Sequence, residues 1–560
     1  MKKVIGIGKQ SFEDIIQSNC FYIDKTSLIK EWWESEDDIT LITRPRRFGK
    51  TLNMDMLKCF FSNQYRDQGQ LFEGLNIWKE EKYQQLQGTY PVIYLSFADV
   101  KQTNYKDAVI KKIITDVYQQ YIELAGWEGL TEVQVRQFQS VDPYMDDVTA
   151  QCALKDLSGY LYRYYEKKVI ILLDEFDTPM QEAYIHGYWD EFTAFIRSLF
   201  NAAFKTNPYL NRAMMTGITR VSKESIFSDL NNLKVVTTTS EEYATCFGFT
   251  QEEVFTALEE FQLAGQKDAV KQWYDGFTFG SQRDIYNPWS ITNYLKEKKL
   301  LAYWASTSSN DLINRLIQTS KPDVKEFMEE LLNEREIVLN FDEQIVFDQL
   351  ETKENAIWSL MVASGYLKID KIEYRGILHV PWYHLKITNL ETLGMFSEMF
   401  VGWFQNTRSN YNAFIKAMLC GNIKEMNAYM NEVALATFSS FDTGSHPSGR
   451  TQPERFYHGF VLGLLVELRD QYEVRSNRES GYGRYDVMLI PRQKNQLAFV
   501  LEFKVYDAQE ELKLEDTVQS ALVQIEEKDY DTELIERGIS KSKIRHYGFA
   551  FEGKRVLIGE

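Results

Sequence analysis

No apolar run in this chain approaches the roughly eighteen residues that a membrane span needs, and its start lacks the apolar core of a signal peptide. The expectation is a cytoplasmic protein with no membrane partner. Cysteine is scarce: Cys20, Cys59, Cys152, Cys246 and Cys420 are odd in number, scattered and never in C-x-x-C spacing, which leaves reduced thiols. Net positive charge is missing as well. At −18, with a pI near 5.1, the whole-molecule field repels nucleic acid, so any such contact must come from a local basic patch. No repeat with a sustained period occurs, and the clearest linker, rich in Ser, Gly, Thr and Pro, is residues 439–453. A length of 560 residues allows about three or four domains.

What is present begins with Leu41-Ile-Thr-Arg-Pro-Arg-Arg-Phe-Gly-Lys-Thr51, an apolar run that turns sharply into a helical pattern. It ends as a phosphate-binding loop does. Backbone N–H groups ahead of such a helix cradle phosphate oxygens, so Arg46, Arg47, Phe48 and Gly49 are expected around a nucleotide. Lys50 is expected to reach the β/γ-phosphates and Thr51 to hold Mg²⁺. The generic pattern wants glycine where this chain has Arg44, followed by Pro45. Further on, Lys168-Val-Ile-Ile-Leu-Leu-Asp174-Glu175 reads as a buried parallel strand that ends in two carboxylates. Asp174 can hold the Mg²⁺ and Glu175 can polarise the water attacking the γ-phosphate. Apolar strands at residues 90–97 and 213–219, alternating with helices, predict a parallel α/β sheet. At the end of the latter strand, Thr216 or Thr219 is a candidate γ-phosphate sensor and Arg220 a charge stabiliser; a merely satisfied strand end is the alternative.

From about residue 250 the pattern is helical, interrupted by Trp273-Tyr-Asp-Gly-Phe-Thr-Phe-Gly280 and Tyr286-Asn-Pro-Trp-Ser-Ile291. Their Asp-Gly and Asn-Pro pairs are turn chemistry, so both read as structural. Ile357, Leu360 and Met361 fall at helical spacing before Gly365, and extended pieces at 366–369 and 383–387 follow. A helix followed by a hairpin suggests a winged helix. Such a unit either binds DNA or packs on its neighbour, and the absence of a basic recognition helix favours packing.

Beyond the linker, Glu454 and His458 lie one helical turn apart. Next come Gly483-Arg-Tyr-Asp486 and the apolar strand Leu497-Ala-Phe-Val-Leu-Glu502-Phe-Lys504. Strand alternation sends Glu502 and Lys504 to one face, where Asp486 on a neighbouring strand can meet them. Two carboxylates supply hard oxygen ligands for Mg²⁺, and the lysine can stabilise charge on a phosphate under attack. Arg475, Arg478, Arg484, Arg492 and Lys494 surround these strands as a candidate DNA contact.

The Asp…Glu-x-Lys order and spacing resemble the PD-(D/E)xK nuclease superfamily, and Ala521-Leu-Val-Gln524 is similar to the Gln-bearing helix that follows the catalytic strand in many of its members. Together with Thr43-Arg-Pro-Arg-Arg-Phe-Gly-Lys-Thr51, Asp174-Glu-Phe-Asp177, Tyr274-Asp-Gly276 and Tyr286-Asn-Pro288, the chain resembles a bacterial family that joins an AAA-ATPase-like region to such a nuclease domain. The Arg44 form of the loop is usual there. The resemblance implies a P-loop ATPase at 1–250, a helical lid and winged-helix region at 251–438, the linker at 439–453 and a restriction-endonuclease-like α/β domain at 454–560. It implies ATP and Mg²⁺ as cofactors, metal held by Thr51 and Asp174 and by Asp486 and Glu502, and DNA as partner; self-association is left open. The expected function is an ATP-driven switch on a Mg²⁺-dependent DNA nuclease, in defence or mobile-element biology. The alternative is a signalling ATPase whose C-terminal domain binds nucleic acid or protein without cutting.

Overall fold

The computed structural model describes residues 3–100, 108–218, 227, 230–305, 313, 316–317, 322–332, 334–343, 355–403, 408–437, 461, 465, 468, 471–480, 483–493, 496–507, 511–553 and 555–560. Residues 439–453, Glu454 and His458, Thr219 and Arg220, and Lys494 lie outside them. The chain divides into two compact units, Met1–Asn310 with Val338–Thr392, and Asp311–Ile337 with Leu393–Glu560. Among the described residues no helix is long and apolar enough to cross a membrane.

In the first unit, β1 (Ile39–Thr43), β2 (Val92–Ser96), β3 (Val169–Asp174), β4 (Leu210–Gly217) and β5 (Leu233–Val236) form an all-parallel sheet in the order β2-β3-β4-β1-β5. Every residue of β1 and β3 is buried, as expected of strands covered on both faces. The helix Lys50–Phe61 starts at Gly49, whose φ of 81° is a left-handed conformation that glycine adopts without strain. It buries Met54, Leu57, Phe60 and Phe61 in one core with Ile42, Ile170 and Leu172. The sheet thereby holds the phosphate loop at the C-terminal edge of β1, between β4 and β5.

A small antiparallel sheet follows, made of β6 (Phe249–Thr250), β7 (Phe277–Phe279) and β8 (Gln282–Tyr286). After it, the helix Ala356–Ala363 ends at Gly365 (φ 82°), as its spacing predicts, and leads into a hairpin of β9 (Leu367–Arg375) and β10 (Val380–Ile387).

In the second unit, β11 (Tyr472–Ser480), β12 (Gly483–Pro491), β13 (Ala498–Val505), β14 (Ile544–Glu552) and β15 (Arg555–Gly559) form a mixed sheet in that order, antiparallel except for β13 on β14. The helix Leu514–Glu527 makes the crossover that this parallel pair requires. Alternation splits β13 cleanly. Phe499, Leu501 and Phe503 join a core with Phe414, Met418, Met426 and Met430 from the helices Arg408–Cys420 and Ile423–Thr437. Ala498 and Val500 join the opposite core with Met488, Ile525, Tyr530 and Leu534. Glu502 and Lys504 share the parity of the latter pair, so the strand carries them under the crossover helix.

Gly548 of β14 keeps that helix close. A Cβ there would stand 2.8 Å from the carbonyl oxygen of Val518 and 3.2 Å from Ala521 Cβ. Gly548→Val is therefore expected to push the helix outward and cost about 1–3 kcal/mol, read as a lower urea midpoint of the full chain.

Candidate functional site

Two constellations stand on these sheets, one in each unit. In the first, the Lys50 ammonium is buried and donates to the carbonyl oxygens of Arg44 (3.0 Å) and Pro45 (2.9 Å). Burial lowers its pKa, while Glu175, Asp177 and Asp174 oppose that shift. Thr51 Oγ1 donates to Asp174 Oδ2 at 2.7 Å, and Thr216 Oγ1 donates to Asp174 Oδ1. The loop, the acidic strand and the neighbouring strand thus converge on one buried carboxylate. Desolvation raises the pKa of Asp174 and the two hydroxyl donors pull it back. A threonine hydroxyl beside a carboxylate suits a hard cation such as Mg²⁺. Glu175 follows at φ 52°, a strained conformation for a residue with a Cβ, and accepts from Thr178 Oγ1 at 2.9 Å. The sequence marks Asp177 only as part of a run. Its Oδ2 accepts from Ile218 N at 2.9 Å, while Phe176 N donates to Thr216 O, so the acidic turn is laced to the end of β4.

Arg44, where the generic loop has glycine, is turned into the protein. Its guanidinium is fully buried, donates to the carbonyls of Thr43 (2.9 Å) and Thr237 (2.7 Å), and lies 4.5 Å from the centre of the Phe279 ring. Burial pushes its pKa down to about 10, so it stays charged at neutral pH. The charge is solvated by backbone carbonyls and an aromatic face in place of water. Arg44→Gly, which restores the generic motif, is therefore expected to destabilise the protein by roughly 2–4 kcal/mol, measured by urea unfolding.

The segments read as structural turns also touch the loop. Phe48 packs edge-on to Phe277 (4.8 Å) and Phe279 (5.4 Å), the Arg47 guanidinium lies 4.5 Å from the Trp289 ring centre, and Asn287 Nδ2 donates to Arg46 O at 3.3 Å. Arg46 Nη2 reaches Gln181 Oε1 at 3.4 Å. Asn287 also caps the helix Pro288–Glu297 by accepting from Trp289 N and Ser290 N. These residues are more than a turn: they brace the phosphate loop through Arg46, Arg47 and Phe48.

In the second unit, the pairing of Val487 with Leu501, continued by one residue, sets Asp486 beside Glu502. Asp486 Oδ2 accepts from Phe503 N at 2.8 Å. Glu502 is 2 % exposed, and its Oε1 accepts from Gln524 Nε2 of the crossover helix. The other end of that amide, Gln524 Oε1, accepts from Lys504 Nζ at 2.7 Å. The orientation of the amide is dictated by chemistry, because a carboxylate can only accept and an ammonium can only donate. Gln524 also donates to Tyr530 Oη at 3.2 Å, a partner that sequence reasoning gave no role. Two carboxylates from adjacent strands suit a hard divalent cation that keeps several waters. Among the described residues no three His, Cys, Asp or Glu form a metal cluster.

The expected basic surround is only partly available. Arg475 is committed to Glu473 and Glu533, and Arg537 joins the same network, with its Nη1 2.9 Å from Glu473 and its Nη2 3.2 Å from Glu533. The side chains of Arg478 and Arg484 lie outside the described residues.

Comparison with known proteins agrees with this geometry. Residues 6–227 match the family model described as a predicted AAA-ATPase, and residues 452–560 match that of the PD-(D/E)XK nuclease superfamily. The chain is also similar to a protein of Azotobacter chroococcum mcd 1 described as an uncharacterized protein in the vnfD 5′ region, 23% identical over 565 residues, covering 96% of this chain and 95% of the relative. The chain is therefore similar to predicted AAA-ATPases over its N-terminal region and to the PD-(D/E)XK nuclease superfamily over its C-terminal region.

Proposed function

We propose that the protein is an ATP-binding and ATP-hydrolysing switch that licenses a Mg²⁺-dependent DNA nuclease on the same chain, with defence or mobile-element biology as the setting. Residues 1–250 are assigned to nucleotide chemistry and 454–560 to cutting. The observation that carries the reading is the joining of Glu502 and Lys504 through Gln524 beneath one helix, with Asp486 alongside. Burying a carboxylate and orienting an ammonium is costly unless they act together, and an idle surface salt bridge needs neither burial nor a third residue.

Each side chain then has a separable task. Asp486 and Glu502 hold the cation, which lowers the pKa of bound water and offsets phosphate charge. Lys504 faces the developing charge of the phosphate under attack, and Gln524 fixes its direction. In the other unit, Thr51 and Asp174 hold Mg²⁺, Lys50 leaves the loop carbonyls for the β/γ-phosphates, and Glu175 orients water. Thr216, hydrogen-bonded to Asp174, is the sensor candidate. Arg220, Glu454 and His458 keep their sequence-based roles as proposals.

The alternative, a signalling ATPase with a non-cutting C-terminal domain, is separated by Mg²⁺ titration of the full chain while the phosphate loop is disabled by Lys50→Ala. The reading predicts a Mg²⁺-dependent rise in melting temperature that Glu502→Ala removes. No rise, or an equal rise in the Glu502→Ala protein, favours the alternative.

A further inference from the structure

Among the described residues, the tip of the β9–β10 hairpin is the most conspicuous apolar feature left to solvent. Ile377 is 98% exposed and Leu378 86%, adjacent in a four-residue loop from Gly376 (φ 71°) to His379 (φ 49°). Tyr374 beside them is 62% exposed. Two neighbouring large aliphatics held this far from any core contribute nothing to folding, and a contiguous exposed apolar patch marks something that covers it.

The stem shows what that is. Residues 367–387 carry Lys368, Lys371, Arg375 and Lys386 against Asp370 and Glu373, a net charge of +2 in a chain of −18. Just below the tip, Arg375 is held 4.4 Å from the Trp382 ring centre and 2.8 Å from Glu373. Lower down, the hairpin is anchored. Tyr383 Oη donates to Glu343 Oε1 at 2.9 Å, Thr239 Oγ1 donates to Glu343 Oε2 at 2.7 Å, and Arg283 Nη2 donates to the carbonyl of Asp370 at 2.9 Å. A braced, locally cationic two-stranded ribbon has the width of a nucleic-acid groove, and apolar side chains at a protein tip are what unstack a base step.

We propose that this hairpin engages duplex nucleic acid, with Ile377 and Leu378 inserted as a wedge at a base step and the cationic stem along the phosphates. This rests on nucleic acid being the substrate of the C-terminal domain, and it adds a contact made by the ATPase-bearing unit. The local sign of charge favours this partner over a protein surface. Packing of the stem on its own unit, favoured from the sequence, is compatible with it, since the tip stays free.

The test uses the full chain carrying Glu502→Ala to prevent cutting, a fluorescein-labelled 30-bp DNA duplex, and anisotropy at several salt concentrations. Adding Ile377→Ser and Leu378→Ser is expected to weaken binding by about tenfold or more. The salt slope should be unchanged, because it counts phosphate contacts. ATP hydrolysis should remain as in the parent, which shows that the variant is folded. Equal affinity in parent and variant overturns the wedge while leaving a nucleic-acid substrate standing. A parent that binds no duplex overturns both. A variant that changes its oligomeric state at unchanged DNA affinity shows the tip to be a protein contact, and the proposal fails.

Discussion

Lys504→Ala is expected to slow phosphodiester cleavage by about a hundredfold or more while leaving Mg²⁺ and DNA bound. Labour around Gln524 is divided. Lys504 is no metal ligand, so its loss leaves the carboxylates of Asp486 and Glu502 in place, with Gln524 Nε2 still donating to Glu502. DNA affinity changes little because one phosphate contact is a small part of the electrostatic term. Asp486→Ala and Glu502→Ala are expected to behave differently: each would remove a proposed oxygen ligand, so Mg²⁺ binding and cleavage should fall together. Glu502→Gln is the sharper variant, since it keeps the volume but sets an amide against the Gln524 amide. Single-turnover cleavage alongside metal titration checks the set. Cleavage undiminished in all three alanine variants would place the activity elsewhere.

Lys50→Ala is expected to abolish ATP hydrolysis, a loss of at least a hundredfold, because the phosphates lose their fixed cation. The described geometry adds a structural expectation. Lys50 Nζ satisfies the carbonyls of Arg44 and Pro45. Removing it leaves those acceptors without their donor and relieves the burial of a charge. These effects oppose one another, so stability should shift by no more than about 1–2 kcal/mol. Steady-state phosphate release, with urea unfolding as the control, separates lost chemistry from lost fold.

A fragment that carries the cutting chemistry should be chosen from packing. The sheet face bearing Phe499, Leu501 and Phe503 is covered by Phe414, Met418, Met426 and Met430, all upstream of the linker. A fragment that starts at residue 451 strips these residues from the sheet and exposes an apolar face.

Elements that depend on local pattern were legible in the sequence. Four of the five parallel strands, β1 to β4, announce themselves as short β-branched and leucine runs, whereas β5 (Leu233–Val236) was no part of the expected sheet; the loop, the acidic pair and the Glu-x-Lys pair each sit near a strand end. Gln524 was legible only through the resemblance to the Gln-bearing helix that follows the catalytic strand in many members of the nuclease superfamily. What stayed hidden depends on contacts between distant residues. Phe48 meets Phe277 and Phe279, and Arg47 meets Trp289, across more than two hundred positions, so the aromatic segments read as turns. The burial of Arg44 is hidden for the same reason, since its acceptor Thr237 lies 193 residues away. Arg475 looked available to DNA, but Glu533, 58 residues downstream, already holds it. Tyr530 carried no pattern of its own and gains its place by standing beyond Gln524.

The most direct test of the account is cleavage of single- and double-stranded DNA by the full chain, with and without Mg²⁺ and ATP, run in parallel with Glu502→Ala. The account predicts cleavage that needs Mg²⁺, changes with ATP and disappears in the variant. Cleavage that survives Glu502→Ala, or no cleavage of either form by a chain that binds Mg²⁺ and hydrolyses ATP, would contradict it.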